Sequence, residues 1–417
     1  MMSRFVLLRL FLLSLLGVSG IALALEPFNP AGFLPTEIAR PLLEQDPSVA
    51  AARGGLDVAL NEAGILDKSP YEWTTRATGQ QRRQESGPRY NEWHVSIEQT
   101  LRLPGKAAAD RNLGTATVEE SQARYGEALH EAARDLMTMW LDWLAAERAR
   151  ELAEKNLLSM QASLAAVEKR IRAGDASKLD VSIARAELSE QKRLNNDVKT
   201  QATTTWLRLS TRFPGIKRQL LPLPTPLPIA DNAASMRERI LAESDVLKGA
   251  QAQMRMAQAH AERARAEKTP DPTLGVFTAS EVGGRERISG IMISIPIPGG
   301  ARNLRSAKAA AALGVSYQEI EMKKRLLETE VASAIATADG AYESLQIANE
   351  GASAMQENAA LMHRAYTLGE AELQAMLLSN RQATAASNNA LQAQLTALKG
   401  YFGLLVDAHL IWDLAHD

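Results

Sequence analysis

Six histidines are the side chains of this sequence best suited to bind a metal, and their spacing does not favour that role. No two of them stand four residues apart, the separation that places a pair of ligands on one face of a helix. The chain has no cysteine, which excludes thiolate metal sites and disulfides. We therefore predict no metal site and no cofactor, and interpret the following as scattered helix-surface residues: His94, His130, His260, His363, His409 and His416.

The remaining polar residues form no catalytic pattern. The sequence contains no nucleophile motif, no phosphate-binding glycine loop and no dinucleotide fingerprint. Asp46, Asp135 and Asp142 fall in helical segments at positions expected to face water. With 47 basic and 49 acidic residues the formal net charge is −2, so nothing attracts nucleic acid. We predict that the protein is not an enzyme.

The N-terminus has the features of an export sequence. Arg4 and Arg9 accompany an apolar run, and small residues follow up to Ala24. This pattern predicts a secretory signal peptide over residues 1–24, with an N-terminal extension over 25–35. The apolar run is too short to span a bilayer, although a retained anchor is the alternative.

The long sequence that must position any functional residue is internally duplicated. Pro104-Gly105 recurs as Pro298-Gly299, and Gly174 recurs as Gly369, at spacings of 194 and 195 residues. We predict two repeats, over 36–213 and 235–410. A proline-rich linker at 214–234 joins them, and a short tail follows at 411–417.

Each predicted repeat contains two strands in which apolar and polar residues alternate. They are expected at about 71–79 and 91–103, and again at about 272–281 and 288–297. Four strands are too few to close a barrel, so several chains are expected to pool them into one sheet. One apolar and one polar face suit an outer-membrane barrel with a wet lumen, the alternative being the edge of a soluble β-sandwich.

Long alanine-rich helices follow each predicted hairpin. Residues 105–173 and 300–368 have apolar residues at alternating spacings of three and four, as in a coiled coil, and shorter helices return over 175–213 and 370–409. The predicted fold class is α+β, mainly α: a duplicated helix-strand-strand-helix unit with long coiled-coil hairpins and four strands.

The order of these elements resembles the TolC-like outer-membrane efflux factors. The resemblance covers essentially the mature chain and depends on two sets of motifs. One set is the strand-to-helix junctions, at Pro104, Gly105, Pro298 and Gly299, and the other is the helix-turn-helix tips at 174–179 and 369–373. It implies a trimer whose twelve strands form an outer-membrane β-barrel that continues into a periplasmic α-helical tunnel.

The same resemblance assigns roles to the tips. In the family the tips close the inner end of the tunnel, where an adaptor binds. The matching residues here are Gly174, Asp175, Leu179, Gly369 and Leu373.

The resemblance also implies a closed gate, in which an aspartate after the first tip bonds a tyrosine before the second. Asp180 and Tyr366 occupy these places, with a solvated aspartate and a packed tyrosine as the alternative. Two lumen-facing aspartates of many relatives are replaced here by Ala375 and Leu378. We therefore expect the constriction to be apolar or to be formed by Glu370 and Glu372.

The junction sequence Leu103-Pro104-Gly105-Lys106 is most similar to that of the heavy-metal efflux subgroup, the cobalt-zinc-cadmium type. This implies a passive homotrimeric duct in the outer membrane of a Gram-negative bacterium, with a large periplasmic portion. Its partners would be outer-membrane lipid, a periplasmic adaptor (membrane fusion protein) and an inner-membrane pump of RND type. Alternatives are a duct for drugs or type I secreted polypeptides, and a periplasmic adaptor or coiled-coil protein without a channel.

Overall fold

The computed structural model describes residues 32–83, 85–229 and 232–414. The predicted signal peptide, the first residues of the 25–35 extension and the end of the C-terminal tail, with His416, lie outside the described residues.

The two halves of the chain have the same order of elements: two helices, a β-hairpin, a long helix and a returning helix. In the first half these are α1 (Thr36–Glu44), α2 (Pro47–Asp67), β1 (Thr74–Arg83), β2 (Arg89–Thr100), α3 (Pro104–Ala173) and α4 (Lys178–Arg212). In the second half they are α5 (Ala233–Glu243), α6 (Asp245–Ala266), β3 (Thr273–Glu281), β4 (Glu286–Ser294), α7 (Gly300–Leu368) and α8 (Leu373–Asp407).

Local chemistry explains where the N-terminal helices begin. The Asp46 carboxylate accepts a 2.8 Å hydrogen bond from the backbone N–H of Ser48, which caps α2. Pro47 then stands at the first helical position, where its missing N–H is not needed. A helical segment that the sequence predicts with a break at Pro47 is therefore two helices.

The four strands form one antiparallel sheet in the order β1-β2-β3-β4. β1 begins three residues later than expected, and β2 and β4 end three residues earlier, at Thr100 and Ser294. The residues beyond these ends belong instead to the junctions with α3 and α7. The central pairing joins the two hairpins, because β2 lies beside β3 over Trp93–Thr100.

Each long helix packs beside two shorter ones. The 70-residue α3 contacts α2 and α4, and the 69-residue α7 contacts α6 and α8. At about 1.5 Å per residue, helices of this length extend roughly 100 Å. Alanines in the interfaces, such as Ala133 and Ala338, allow the helices to approach closely.

The main hydrophobic core lies where α3, α8, the linker and both terminal segments meet. The ring of Phe33 stacks on Phe402 with centroids 4.3 Å apart and on Trp412 with centroids 4.9 Å apart. Ile216 and Ile229, near the ends of the linker, belong to the same core. The segments predicted as an N-terminal extension and a C-terminal tail thus contribute buried side chains.

Within the described ranges, no helix has both the length and the apolar character that are needed to cross a bilayer.

Candidate functional site: sheet, junctions and tips

The four-stranded sheet exposes its apolar face. One row of paired residues across the sheet consists of Thr75, Ile97, Val276 and Ile291, and Ile291 is 78% exposed. The neighbouring rows add Trp93 and Val95 from β2, Leu274 from β3 and Ile293 from β4. An exposed apolar surface of this kind marks contact with a membrane or a partner.

The opposite face of the sheet carries charges and is the more sheltered one. Ser96 is only 2% exposed, and Glu92 is also buried. Arg82 lies 3.1 Å from the Glu92 carboxylate and 3.0 Å from that of Glu281, so its ion pairs link the two hairpins. This arrangement of polar groups inside and apolar groups outside is the reverse of a water-soluble sheet.

The two strand-to-helix junctions differ in detail. Pro104 is the first residue of α3 and Gly105 the second, with Leu103 as the N-cap. In the second half Pro298 precedes the helix by two residues, and Gly299 is the N-cap of α7. Neither N-cap makes a side-chain hydrogen bond.

A network of buried charges surrounds the first junction, and sequence reasoning missed it. Arg102 contacts Asp110 at 2.5 Å, Glu267 at 2.6 Å and Asp271 at 3.3 Å. Lys106 is 2% exposed and lies 3.0 Å from Asp271 and 3.2 Å from Glu267. These contacts tie the end of β2 and the start of α3 to the segment that precedes β3.

Hydrogen bonds complete this junction network and stabilise its ionised forms. The Tyr71 hydroxyl donates to Asp271 at 2.8 Å, and the backbone N–H of Leu103 donates to the same carboxylate at 3.1 Å. Burial alone would raise the pKa of Asp271, but the bonds from Leu103, Tyr71 and Lys106 lower it. Glu267 behaves alike, because hydrogen bonds from Arg102 and Lys106 outweigh its burial and lower its pKa.

The sequence does contain one indication of this network. Arg102 and Lys106 follow β2, whereas Glu267 and Asp271 precede β3. In an antiparallel pair the end of one strand lies beside the start of the other. The contact could therefore be predicted once the pairing of β2 with β3 is known.

Both helix tips turn on a glycine in the left-handed conformation. Gly174 has a φ of 84° and Gly369 a φ of 80°, values that cost other residues free energy. The N–H groups of Gly174 and Asp175 bond to the carbonyl oxygens of Ile171 and Arg170, which gives the double hydrogen bond of a Schellman motif. Gly369 and Glu370 make the corresponding bonds in the second tip.

The first tip is capped by polar side chains. The Ser177 hydroxyl accepts from the Asp180 N–H at 3.1 Å, and the Ser177 N–H donates to Asp180 Oδ2 at 2.8 Å. This is a capping box, so Asp180 starts α4. Asp175 and Leu179 project from this turn, and Leu179 is 64% exposed.

The second tip is held instead by apolar packing. Tyr366 and Leu373 are buried in a cluster with Val167 and Met376, and the Arg170 guanidinium lies 4.9 Å from the centroid of the Tyr366 ring. Leu373, predicted to contact an adaptor, is thus part of the core of the tip. The residues that remain exposed are Glu370, Glu372 and Leu378.

Asp180 and Tyr366 are not hydrogen-bonded to each other within the described part of this chain. The bonds to the Asp180 carboxylate come from Ser177, and both are to Oδ2. Oδ1 is therefore the oxygen that could accept a phenol from a neighbouring hairpin.

Two of the six histidines come together although 279 residues separate them. His130 Nδ1 and His409 Nε2 are 3.4 Å apart, and Asp245 Oδ2 lies 3.4 Å from the same nitrogen of His409. Interpretation as scattered surface residues does not hold for this pair, because His409 and Asp245 have nearly buried side chains.

Comparison with known proteins gives a family and a fold. The model of the family described as outer membrane efflux protein matches residues 39–212, which include α2 to α4 and the first hairpin. No curated protein matches the sequence.

Solved structures of outer-membrane proteins have the same fold. A membrane protein from Pseudomonas aeruginosa matches with a TM-score of 0.74 and 16% identity over 91% of each chain. The CmeC outer membrane channel of Campylobacter jejuni matches with 0.74 and 13% identity, over 91% of this chain and 86% of that one. The outer membrane protein VceC of Vibrio cholerae gives 0.72 and 14%, over 89% and 95%.

Proposed function

We propose that this chain is a member of the outer membrane efflux protein family and one subunit of an outer-membrane channel. Three copies would pool their sheets into a twelve-stranded barrel, and their helices would form a tunnel in the periplasm. The channel would be a passive duct of a tripartite efflux system. The family match and the fold of the solved outer-membrane channels support this assignment.

One observation carries the proposal: the sheet has its apolar face outward and its charged face sheltered. In water the exposed row with Val276 and Ile291 would be unfavourable, since burying apolar surface is worth about 25 cal/mol per Å². Against lipid the same row is stable, and the ion-paired Arg82 and Glu92 would face a wet lumen.

The cargo that we propose is a heavy-metal cation, supplied by an RND-type pump in the inner membrane through a periplasmic adaptor. The Leu103-Pro104-Gly105-Lys106 junction, similar to that of the heavy-metal subgroup, supports this choice. The exposed apolar side chains Leu179 and Leu368 offer the adaptor a contact surface at the two tips. Drugs and secreted polypeptides are the competing cargoes.

The gate that we propose links Asp180 Oδ1 to the Tyr366 hydroxyl of a neighbouring hairpin. A phenol and a carboxylate form a short, charge-assisted hydrogen bond, which water can replace when the tips separate. Glu370 and Glu372 would add negative charge near this opening, and Leu378 an apolar constriction.

Extraction of the full-length protein from the outer membrane tests the channel. We expect a detergent-solubilised trimer by light scattering, a rod in electron micrographs and discrete conductance steps in planar bilayers. A water-soluble monomer or dimer would refute the barrel.

A matched pair of substitutions tests which face meets lipid. Ile291→Lys places a charge near the middle of β4 on the apolar face, where the expected cost is about 2–4 kcal/mol. Thr78→Lys places the same charge near the middle of β1 on the polar face. We expect trimers in the outer membrane only for Thr78→Lys, and equal yields would argue against the assigned faces.

The cargo is tested in a strain that lacks the chromosomal copy. Restored tolerance to zinc, cadmium or cobalt salts on expression of this chain, with no change in drug tolerance, would support the proposed cargo. The reverse pattern would favour a drug duct.

The gate is tested by Tyr366→Phe, which removes only the hydroxyl. We expect a larger single-channel conductance in this variant and in the double variant with Asp180→Ala. Ser177→Ala is the control, because it removes the capping bond and leaves the Asp180 carboxylate in place. Unchanged conductance in the double variant would eliminate the link.

A further inference from the structure

Three metal-binding side chains meet in the helical body, far along the chain from both tips. His130 belongs to α3, Asp245 is the first residue of α6, and His409 follows the end of α8. One ligand atom of each lies within 4.8 Å of the other two. This convergence joins three separate elements at one point.

The measured distances fit a tetrahedral zinc ion. With zinc–ligand bonds of about 2.0–2.1 Å, neighbouring ligand atoms in a tetrahedron lie about 3.3 Å apart. The two distances from His409 Nε2, to His130 Nδ1 and to Asp245 Oδ2, are both 3.4 Å. A small ion could therefore enter with little movement of these atoms.

A carboxylate outside this trio orients one of the rings. Asp407 Oδ1 lies 3.1 Å from His130 Nε2, and it accepts a 2.7 Å bond from Arg134 Nε. A proton on Nε2 of His130 leaves the lone pair of Nδ1 directed at the other two ligands. Histidines that bind zinc commonly have such a carboxylate partner on the second nitrogen.

The backbone at His409 is the second, independent observation. The N–H groups of His409 and Leu410 bond to the carbonyl oxygens of Val406 and Leu405, which is the same Schellman motif as at the tips. At both tips the left-handed position of that motif is a glycine, whereas here it is His409 with a φ of 52°. A strained residue at a position that favours glycine is typical of functional sites.

We propose that His130, Asp245 and His409 form a binding site for a zinc-class divalent cation, with Asp407 as a positioning residue. Two imidazoles and one carboxylate are ligands that Zn²⁺ prefers, and water would complete the tetrahedron. A groove of about 870 Å³ lined by His130, Asp245 and Asp407 gives the ion access. The bound ion would clamp α3, α6 and the end of α8, whatever the channel carries.

Zinc binding to the detergent-solubilised, chelator-treated full-length protein tests the site. We expect about one zinc per chain by elemental analysis after titration with zinc sulfate, and a zinc-dependent rise in Tm. His409→Gly should abolish both effects without unfolding the protein, because glycine is favoured at this φ. Asp407→Asn should weaken binding by roughly 10–100-fold.

His363→Gln is the matched control, since His363 is an exposed histidine of α7. Retained zinc binding in this variant, together with its loss in His409→Gly and His130→Gln, would support the site. Zinc binding that is equal in all variants, or absent from the wild type, would overturn it and leave a hydrogen-bonded His-His-Asp chain. Conductance of the same sample reports the channel separately, so conducting trimers without zinc would refute only this site.

Discussion

The long helices α3 and α7 occupy equivalent places in the two halves, yet their surroundings differ. α3 has 24 buried residues among 70, including Trp140 and Trp143, whereas α7 has 8 among 69. The reason is that α3 packs against α1, α2, α4, α6 and α8, while α7 contacts chiefly α5, α6 and α8.

This difference assigns separate tasks to the two halves. The first half contains most of the core that holds one chain together. The second half presents exposed apolar side chains along its long helix, among them Tyr317, Leu326 and Ile347. In the trimer that we propose, neighbouring subunits would cover part of this surface.

The largest expected effect is the loss of an aromatic side chain from α3. Trp140 is fully buried and its ring lies 5.1 Å from that of Trp143, so Trp140→Ala should reduce the free energy of unfolding by about 3–5 kcal/mol. Tyr317→Ala on α7 should cost less than about 1 kcal/mol, because that side chain is half exposed. Thermal unfolding followed by circular dichroism measures both. Equal costs would show that the two helices are covered alike.

The two junctions offer a matched pair of cations. Lys106 and Arg302 are each the third residue of their long helix, and both contact Glu267. Lys106→Met leaves buried carboxylates without their partner and should cost about 3–5 kcal/mol. Arg302→Met removes a more exposed contact and should cost at most about 1 kcal/mol. Denaturant unfolding of both variants in detergent tests this, and a larger cost for Arg302→Met would reverse the ranking.

Acid should weaken the first junction selectively. The pKa values of Glu267 and Asp271 are lowered in the folded protein, chiefly by hydrogen bonds that outweigh burial. Their ionised forms therefore stabilise the fold above the ordinary pKa range of carboxylic acids, and this contribution disappears as pH falls below about 4.

The measurement for this third prediction is Tm between pH 7 and pH 3. We expect Asp271→Asn to have a lower Tm at pH 7 and a smaller fall towards pH 3 than the wild type. Asp175→Asn, at an exposed site of the first tip, should leave the pH profile unchanged. A profile that Asp271→Asn does not alter would contradict the role of the junction.

The smallest effect concerns the two tips. Ser177→Ala removes the cap of α4 and should destabilise the first tip by about 1 kcal/mol. Glu372→Ala should change little, because Glu372 makes no side-chain cap to α8. Hydrogen exchange of the amides in the first turn of each helix measures the difference. Faster exchange in α8 than in α4 would refute it.

Much of the fold could be predicted from sequence because it depends on local regularities. The coiled-coil spacing of Met160, Leu164 and Val167 predicted a seam, and these residues line the core of the tips. Gly174 and Gly369 predicted the turns, since few other residues adopt a positive φ at low cost. The gate and adaptor roles of the tip residues stay predictions.

The sequence alone determined the type, order and approximate length of the elements, because helical and strand periodicities are properties of neighbouring residues. Only the tertiary structure decided which side chains meet across long separations. It brought His130 to His409 and Lys106 to Asp271, and it buried Leu373 while leaving Leu179 exposed. These outcomes depend on how whole helices and strands pack, and no local pattern along the chain records that packing.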